Sequence, residues 1–435
     1  MNIPVVALVG RPNVGKSALF NRLVGANSAI VSEEAGTTRD RHFGRVEWNG
    51  RPLWLVDTGG LSDEPHAPMD REIRRQVIQA IEEADLLLLV VDAKGGLHPS
   101  DSRVVDLLRD SGKPWLLVAN KVDDPRSTDF YEFYSLGAGD PVPVSATNGK
   151  GSGDLLDAVV ERMPATELEE SAALRVAVIG RPNVGKSSVL NRLLGEERLV
   201  VTDVAGTTRD AIDTPLTYHG REIIFVDTAG LRRQSKIDDG VEFYSALRTR
   251  RAIERADICI LVLDATQGLE NQDLKIAALA WEAGRGLVVV VNKWDLKEKD
   301  DKTSAKFEKD AGEKAPFFRF VPFLFTSAVT GQRVTKILDL ILQVDAERHK
   351  RISTSQINDT LEALVARRQP PQAQGREVKL NYATQVETAP PAIAVFGNNP
   401  DLVQEHYVRY LHNGFREAWG FTGNPLQILL RRKAG

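Results

Sequence analysis

Val5-Val-Ala-Leu-Val9 runs straight into Gly10-Arg11-Pro12-Asn13-Val14-Gly15-Lys16-Ser17, and this junction of an apolar run with a glycine-bracketed loop decides the fold. A short apolar run ended by glycine reads as a buried strand, here turning into a helix that opens near Lys16. In that setting the glycines let successive backbone N–H groups converge on phosphate oxygens. The helix N-terminus adds a partial positive charge. Lys16 is placed to reach β- and γ-phosphates, and the Ser17 hydroxyl to bind Mg2+.

Working outward, the same octapeptide returns 170 residues later as Gly180-Arg181-Pro182-Asn183-Val184-Gly185-Lys186-Ser187. Ala-Gly-Thr-Thr-Arg-Asp at 35–40 returns at 205–210, and Asp57-Thr58-Gly59-Gly60-Leu61 is answered by Asp227-Thr228-Ala229-Gly230-Leu231. Asn120-Lys121-Val122-Asp123 is answered by Asn292-Lys293-Trp294-Asp295, and Ser145-Ala146 by Ser327-Ala328. A glycine-rich turn beside an exposed lysine can imitate one loop by accident, but not two ordered sets. A period this long marks a duplicated domain rather than a solenoid repeat.

In the first copy the apolar runs Val5–Val9, Leu53–Val56, Leu86–Val91 and Trp115–Ala119 alternate with amphipathic stretches such as 154–162. Strands alternating with helices imply βαβ units and an α/β fold with a mostly parallel, doubly wound sheet. Ligands of such sheets sit at the carboxyl ends of the strands, where every motif above falls. The expected organisation is a first domain over 1–163, an acidic linker over 164–173, a second domain over 174–347 and a small α+β module over 348–435.

Asp57 and Asp227 are placed to hold Mg2+ through water, with the following glycine offering an N–H to a γ-phosphate. That arrangement fits ATP and GTP alike. The choice rests on Asp123 and Asp295, because a carboxylate accepts from both the N1–H and the N2 amino group of guanine, which adenine does not offer. Such a site rejects adenine because a buried acceptor would stay unpaired. Asn120 and Asn292 are suited to bond the base edge and to brace the loop, the stems of Lys121 and Lys293 to lie along the base, and the Ser-Ala pairs to back it.

This ordered set resembles the translation-factor class of GTPases, and two such domains before a small C-terminal module resemble the bacterial Der (EngA) family over essentially the whole chain. The resemblance implies a GTP-hydrolysing switch, a KH-like C-terminal domain and a role in assembly of the large (50S) ribosomal subunit, with that subunit and its rRNA as partners. It also implies that Thr38 and Thr208 close on Mg2+, with Thr37 and Thr207 as alternatives. Many GTPases carry a water-orienting glutamine where this chain has Leu61 and Leu231. Related families use K+ held partly by an asparagine of the phosphate loop, so K+-stimulated hydrolysis through Asn13 and Asn183 is expected, with slow intrinsic turnover. Arg39 and Arg209 are candidate arginine fingers or partner contacts. A GTP-dependent RNA scaffold and a tRNA-modification-type GTPase stay open as alternatives.

Composition agrees with a soluble protein: 42% hydrophobic and 27% charged residues in 435. The lone Cys259 sits in an apolar run and excludes an intramolecular disulfide. The N-terminus lacks a signal-peptide pattern, and no apolar run approaches bilayer length, so a cytoplasmic monomer is expected. Scattered histidines offer no zinc spacing. Residues 345–435 hold 12 Lys/Arg against 9 Asp/Glu, a basic region on a chain of net charge −4. Its runs 378–382, 392–396 and 425–431 read as strands and 400–415 as a helix. It lacks the GxxG loop by which KH domains clamp nucleotides, since Gly397-Asn-Asn-Pro400 has no second glycine. Tyr407, Tyr410, Phe415, Trp419 and Phe421 read as core, and 297–314 as a solvated insertion.

Overall fold

The computed structural model describes residues 3–27, 43–58, 69–124, 128–163, 173–195, 213–228, 242–297, 302–372 and 376–432. The chain divides into two compact units. In the first, β1 (Val5–Val9), β2 (Phe43–Trp48), β3 (Arg51–Asp57), β4 (Leu86–Asp92), β5 (Trp115–Asn120) and β6 (Val142–Pro143) form one sheet in the order β2-β3-β1-β4-β5-β6. Only the β2–β3 pairing is antiparallel. The order reverses direction at β1, so the loop after β1 opens at the switch point of the sheet, where such folds bind ligands.

The second unit repeats this plan. β7 (Leu174–Ile179), β8 (Thr214–Tyr218), β9 (Arg221–Val226), β10 (Ile258–Asp264), β11 (Gly286–Asn292) and β12 (Phe323–Phe325) run in the order β12-β11-β10-β7-β9-β8, again with one antiparallel edge pair, β8–β9. Every residue of β1, β4, β10 and β11 is buried, the continuous apolar pattern of strands covered on both faces. Cys259 is fully buried in β10, where burial pushes its thiol up to about 12, so it packs rather than reacts.

Several expectations change here. The charged stretch 297–314 contains a helix, Thr303–Lys314, with Ala311 buried and Phe307 against the core, so it packs rather than standing free in solvent. The expected strand 378–382 begins two residues later, as β13 (Leu380–Thr388). β13 pairs antiparallel with β14 (Pro391–Gly397), which pairs in parallel with β15 (Gln427–Arg432).

Two helices, Thr354–Arg367 and Glu405–Trp419, cover this small sheet; the second starts five residues after the expected 400–415 because Pro400–Leu402 forms a separate short turn. Ser353 caps the first, its hydroxyl accepting from the Gln356 N–H while the Gln356 side chain accepts from the Ser353 N–H. The helices close over Ile357, Leu361, Leu364, Tyr407, Leu411, Phe415 and Phe421, with Tyr410 and Trp419 packed alongside; the aromatic residues are core, as expected. The module is stitched to the β7–β12 domain in the same unit. The Leu287 N–H donates to the Gly423 carbonyl (2.6 Å) and the Gly423 N–H to the Phe320 carbonyl (2.7 Å). Buried Asn424 donates to Val344 O at 2.9 Å, and the Arg416 guanidinium lies 4.3 Å from the Phe320 ring and 5.5 Å from Trp281.

Candidate functional site

The loop after β1 has the shape its glycines require. Gly10 sits at φ +143°, and a Cβ there would stand 2.4 Å from the Val90 carbonyl oxygen. Gly15 sits at φ +93°, with the Asn120 amide 2.3 Å from where a Cβ would be. The second domain matches to within a few degrees at Gly180 (+139°) and Gly185 (+95°). Asn13 and Asn183 also take left-handed backbone, at φ 66° and 62°, a conformation asparagine tolerates better than most residues.

Lys16 curls back over this loop, its Nζ donating to Gly10 O (2.7 Å) and Arg11 O (2.9 Å). Lys186 does the same toward Gly180 O (2.9 Å) and Arg181 O (2.7 Å). Burial pulls both ammonium groups down to about 8, opposed by the charge of Asp57 at the first and Asp273 at the second. A buried cation bonded only to carbonyls, at the mouth of a convergent amide loop, is a site built for an anion.

The Asn-Lys-x-Asp segments are tied into that loop. Asn120 Nδ2 donates to Val14 O (2.9 Å) while its Oδ1 accepts from the Ala146 N–H (3.1 Å). Asn292 bridges Val184 O (3.1 Å) and the Ala328 N–H (3.0 Å). Both ends of each amide are thus spent bracing three loops together, and of the two roles open to these asparagines the structure shows the brace. Lys121, at φ 70°, donates to Asn13 O (2.9 Å) and Asp92 Oδ2 (2.6 Å), and Lys293 to Asn183 O (2.9 Å) and Asp264 Oδ2 (2.6 Å).

Asp92 and Asp264 are residues that sequence reasoning missed. Burial pushes each carboxyl up, and hydrogen bonds, led by those from Lys121 and Lys293, outweigh it and hold both below the ordinary range. Each ends an apolar run and is followed by alanine, and that repetition in both copies was the available signal.

Asp123 presents Oδ1 to the Ser145 hydroxyl (2.6 Å) and Oδ2 to Lys94 Nζ (2.6 Å), with Ser327 and Asp295 at the corresponding places in the second copy. Asp57 is buried at the end of β3, close enough to Lys16 for their charges to interact. Thr58 Oγ1 donates to Leu8 O (2.7 Å), and Thr228 Oγ1 pairs with Thr214 Oγ1 (2.8 Å), so both threonines hold the strand ends. Asp227, at φ 56°, is only half-buried, and its N–H donates to Asp213 Oδ1 (3.0 Å).

Several predicted site residues are brought near only through their backbone. Val14, Val184, Val122 and Trp294 are buried in the domain cores. The arginines of the phosphate loops turn their guanidinium groups to the helix after β4 or β10. Arg11 lies 3.4 Å from Asp101, while Arg181 bonds both Asp273 (2.9 Å) and Glu270 (2.8 Å). Pro12, Pro182, Ser17 and Asn13 stay exposed or at the rim. Thr37, Thr38, Arg39, Gly59, Gly60, Leu61, Thr207, Thr208, Arg209, Ala229, Gly230 and Leu231 lie outside the described residues.

The donors fit Mg2+: one carboxylate and one hydroxyl beside a phosphate cradle is the sparse set this ion takes when phosphates supply the rest. Among the described residues no cluster of three His, Cys, Asp or Glu stands ready to hold a metal by itself. No helix among them is long and apolar enough to cross a membrane.

Two copies of a switch-point phosphate loop, each braced to an Asn-Lys-x-Asp segment, define a tandem-domain GTP-binding switch protein. Residues 5–121 and 175–293 each match the family described as 50S ribosome-binding GTPase, and 351–431 match the KH-domain-like C-terminal domain of EngA bacterial GTPase enzymes. The chain is 72% identical over 434 residues to GTPase Der of Gemmatimonas aurantiaca, covering 100% of both, and 49% identical to that of Caldanaerobacter subterraneus subsp. tengcongensis, covering 100% of this chain and 99% of the other. Among solved structures, a point variant of Aquifex aeolicus Era bound to GDP.AlF4− is similar at 22% identity over 58% of this chain and 88% of that one, with a TM-score of 0.31. The chain belongs to the Der family of GTPases, with two GTPase domains and a KH-like C-terminal domain.

Proposed function

We propose that each domain binds GTP in its phosphate loop, hydrolyses it slowly with K+ stimulation, and uses the change of state to act on the large ribosomal subunit during its assembly. The observation that carries the nucleotide part is the Asn120 and Asn292 brace, which fixes the base loop and the phosphate loop as one rigid frame. The family description, which names ribosome binding, and the basic residues of the C-terminal region support the subunit as partner.

In this reading backbone N–H groups from Gly10 to Ser17 and from Gly180 to Ser187 hold the phosphates. Lys16 and Lys186, already desolvated, exchange their carbonyl bonds for β- and γ-phosphate oxygens. Ser17, Thr38 and Asp57, or Ser187, Thr208 and Asp227, would hold Mg2+, which would supply positive charge toward the phosphates. Asn13 and Asn183 would hold K+, which would supply positive charge that Leu61 and Leu231 cannot. Leu61 and Leu231 cannot orient water, so unassisted turnover is set near 10⁻³ per second in order of magnitude.

The test is GTP turnover by the full chain in K+ and in Na+, with and without large subunits, beside co-sedimentation under a GTP analogue and under GDP. The reading requires faster turnover in K+ and nucleotide-dependent sedimentation. Equal rates in both salts would remove the K+ role, absent turnover would leave a GTP-dependent scaffold, and sedimentation indifferent to nucleotide would remove the switch.

A further inference from the structure

The two base-reading carboxylates have different neighbours. In the first domain Lys94 Nζ stands 2.6 Å from Asp123 Oδ2, and Lys150 Nζ stands 2.9 Å from the Asp123 carbonyl. The Lys94 backbone is itself fixed, its N–H and that of Gly95 each donating to Asp92 Oδ1 at 3.0 Å. Asp92 Oδ2 in turn holds Lys121. Lys94 is therefore anchored to the same frame as the Asn-Lys-x-Asp loop and reaches Asp123 from a set position.

Sheet register identifies the counterparts. Asp92 pairs with Asn120 across β4 and β5, and Asp264 with Asn292 across β10 and β11, which equates Lys94 with Thr266. The Ser145 N–H donates to Lys150 O and the Ser327 N–H to Gln332 O, which equates Lys150 with Gln332. The Thr266 hydroxyl turns to Asp264 Oδ1 at 2.6 Å. Neutral Thr266 and Gln332 thus stand at the positions from which Lys94 and Lys150 reach Asp123, and no ion pair reaches Asp295 among the described residues.

We propose that Lys94 is a specificity-determining residue of the first site, a latch that competes with guanine for Asp123 and makes the first site bind its base more weakly than the second. This rests on the reading of Asp123 as the base acceptor. Guanine presents two N–H donors to the two carboxylate oxygens, so the ammonium on Oδ2 competes with one of them. The pair is exposed, with 60% of the Lys94 side chain and 41% of the Asp123 side chain open to solvent. Such a pair opens readily, is screened by salt, and shifts binding by roughly two- to fivefold.

The test uses the full chain with the second site silenced by Lys186→Ala, and fluorescent GDP displaced by GDP or by pyrophosphate. Lys94→Met keeps the stem and removes the charge, and Lys94→Thr installs the residue of the second domain. Both should tighten GDP by roughly two- to fivefold at low salt, with the gain shrinking at high salt. Pyrophosphate binding should not change, because the latch acts on the base. Unchanged or weaker GDP binding, or an equal change for pyrophosphate, overturns the latch. Asp123→Asn in the same background separates the two readings. If it loses GDP binding while the Lys94 variants do nothing, only the latch fails; if it binds like the parent, the base assignment fails and the latch with it.

Discussion

The two GTPase domains share a frame and differ at its rim. The strand order, the left-handed glycines and the asparagine braces repeat closely, while the neighbours of Asp123 and of the loop arginine do not. The glycine loop and its asparagine brace are geometrically exacting and are kept in duplicate. The surroundings of Asp123 and Asp295 are exposed, and there the copies diverge.

The largest effect that would break the shared-frame half of this comparison is loss of a brace. Asn120→Ala strands the Val14 carbonyl and the Ala146 N–H, and Asn292→Ala strands Val184 and Ala328. Each stranded buried group costs about 1–3 kcal/mol, so each variant should destabilise its own domain by roughly 2–4 kcal/mol in denaturant titration. If one copy tolerates the change and the other does not, the frames are not equivalent.

The buried lysines give the next test. Each has its pKa lowered from 10.5 to about 8 in the fold, so folding disfavours the charged form. The sign follows: the unfolded chain binds more protons between pH 8 and 10.5, and the cost of burying the charge is full below about 8 and fades as pH rises to 10.5. Without nucleotide, Lys16→Met and Lys186→Met should each be more stable than the parent at pH 7, by up to about 3 kcal/mol. That advantage should decline by about pH 9.5. A gap that ignores pH, or that differs between the copies, would contradict the matched burial.

A smaller effect sharpens the difference at the rim. Arg181 holds two carboxylates at 2.8 and 2.9 Å, whereas Arg11 holds one at 3.4 Å. Thermal melts should show Arg181→Ala costing about 1 kcal/mol more than Arg11→Ala. Equal costs would mean that Glu270 adds nothing.

The buried strands were legible because parallel strands covered on both faces must be continuously apolar, and Val5–Val9 matches its predicted limits. The edge strands were not. Phe43–Trp48 is half-buried with charges at Arg45 and Glu47, and Thr214–Tyr218 carries Pro215, tolerated only because it lies at an edge. The charged helix Thr303–Lys314 buries little beyond Phe307 and Ala311, whose four-residue spacing was its one periodic signal.

At the site, the motifs themselves could be read, since phosphate loops demand particular residues at particular spacings. Asp92 and Asp264 carried only the signal of their repetition, and Lys94 none, because an aspartate closing an apolar run or a lysine in a turn has no chemistry until folding sets its neighbour. The brace of Asn120 was read from the sequence beside a bond to the base edge, and its bonds to Val14 and Ala146 show the brace.

Calorimetric titration of the full chain with GTP and with ATP, alongside Asp123→Asn and Asp295→Asn, tests most directly whether these two carboxylates choose the base. Two molar equivalents of GTP are predicted on the parent, one on either single variant, and no measurable ATP. Binding of ATP with comparable affinity, or two undiminished GTP equivalents on either variant, would contradict it.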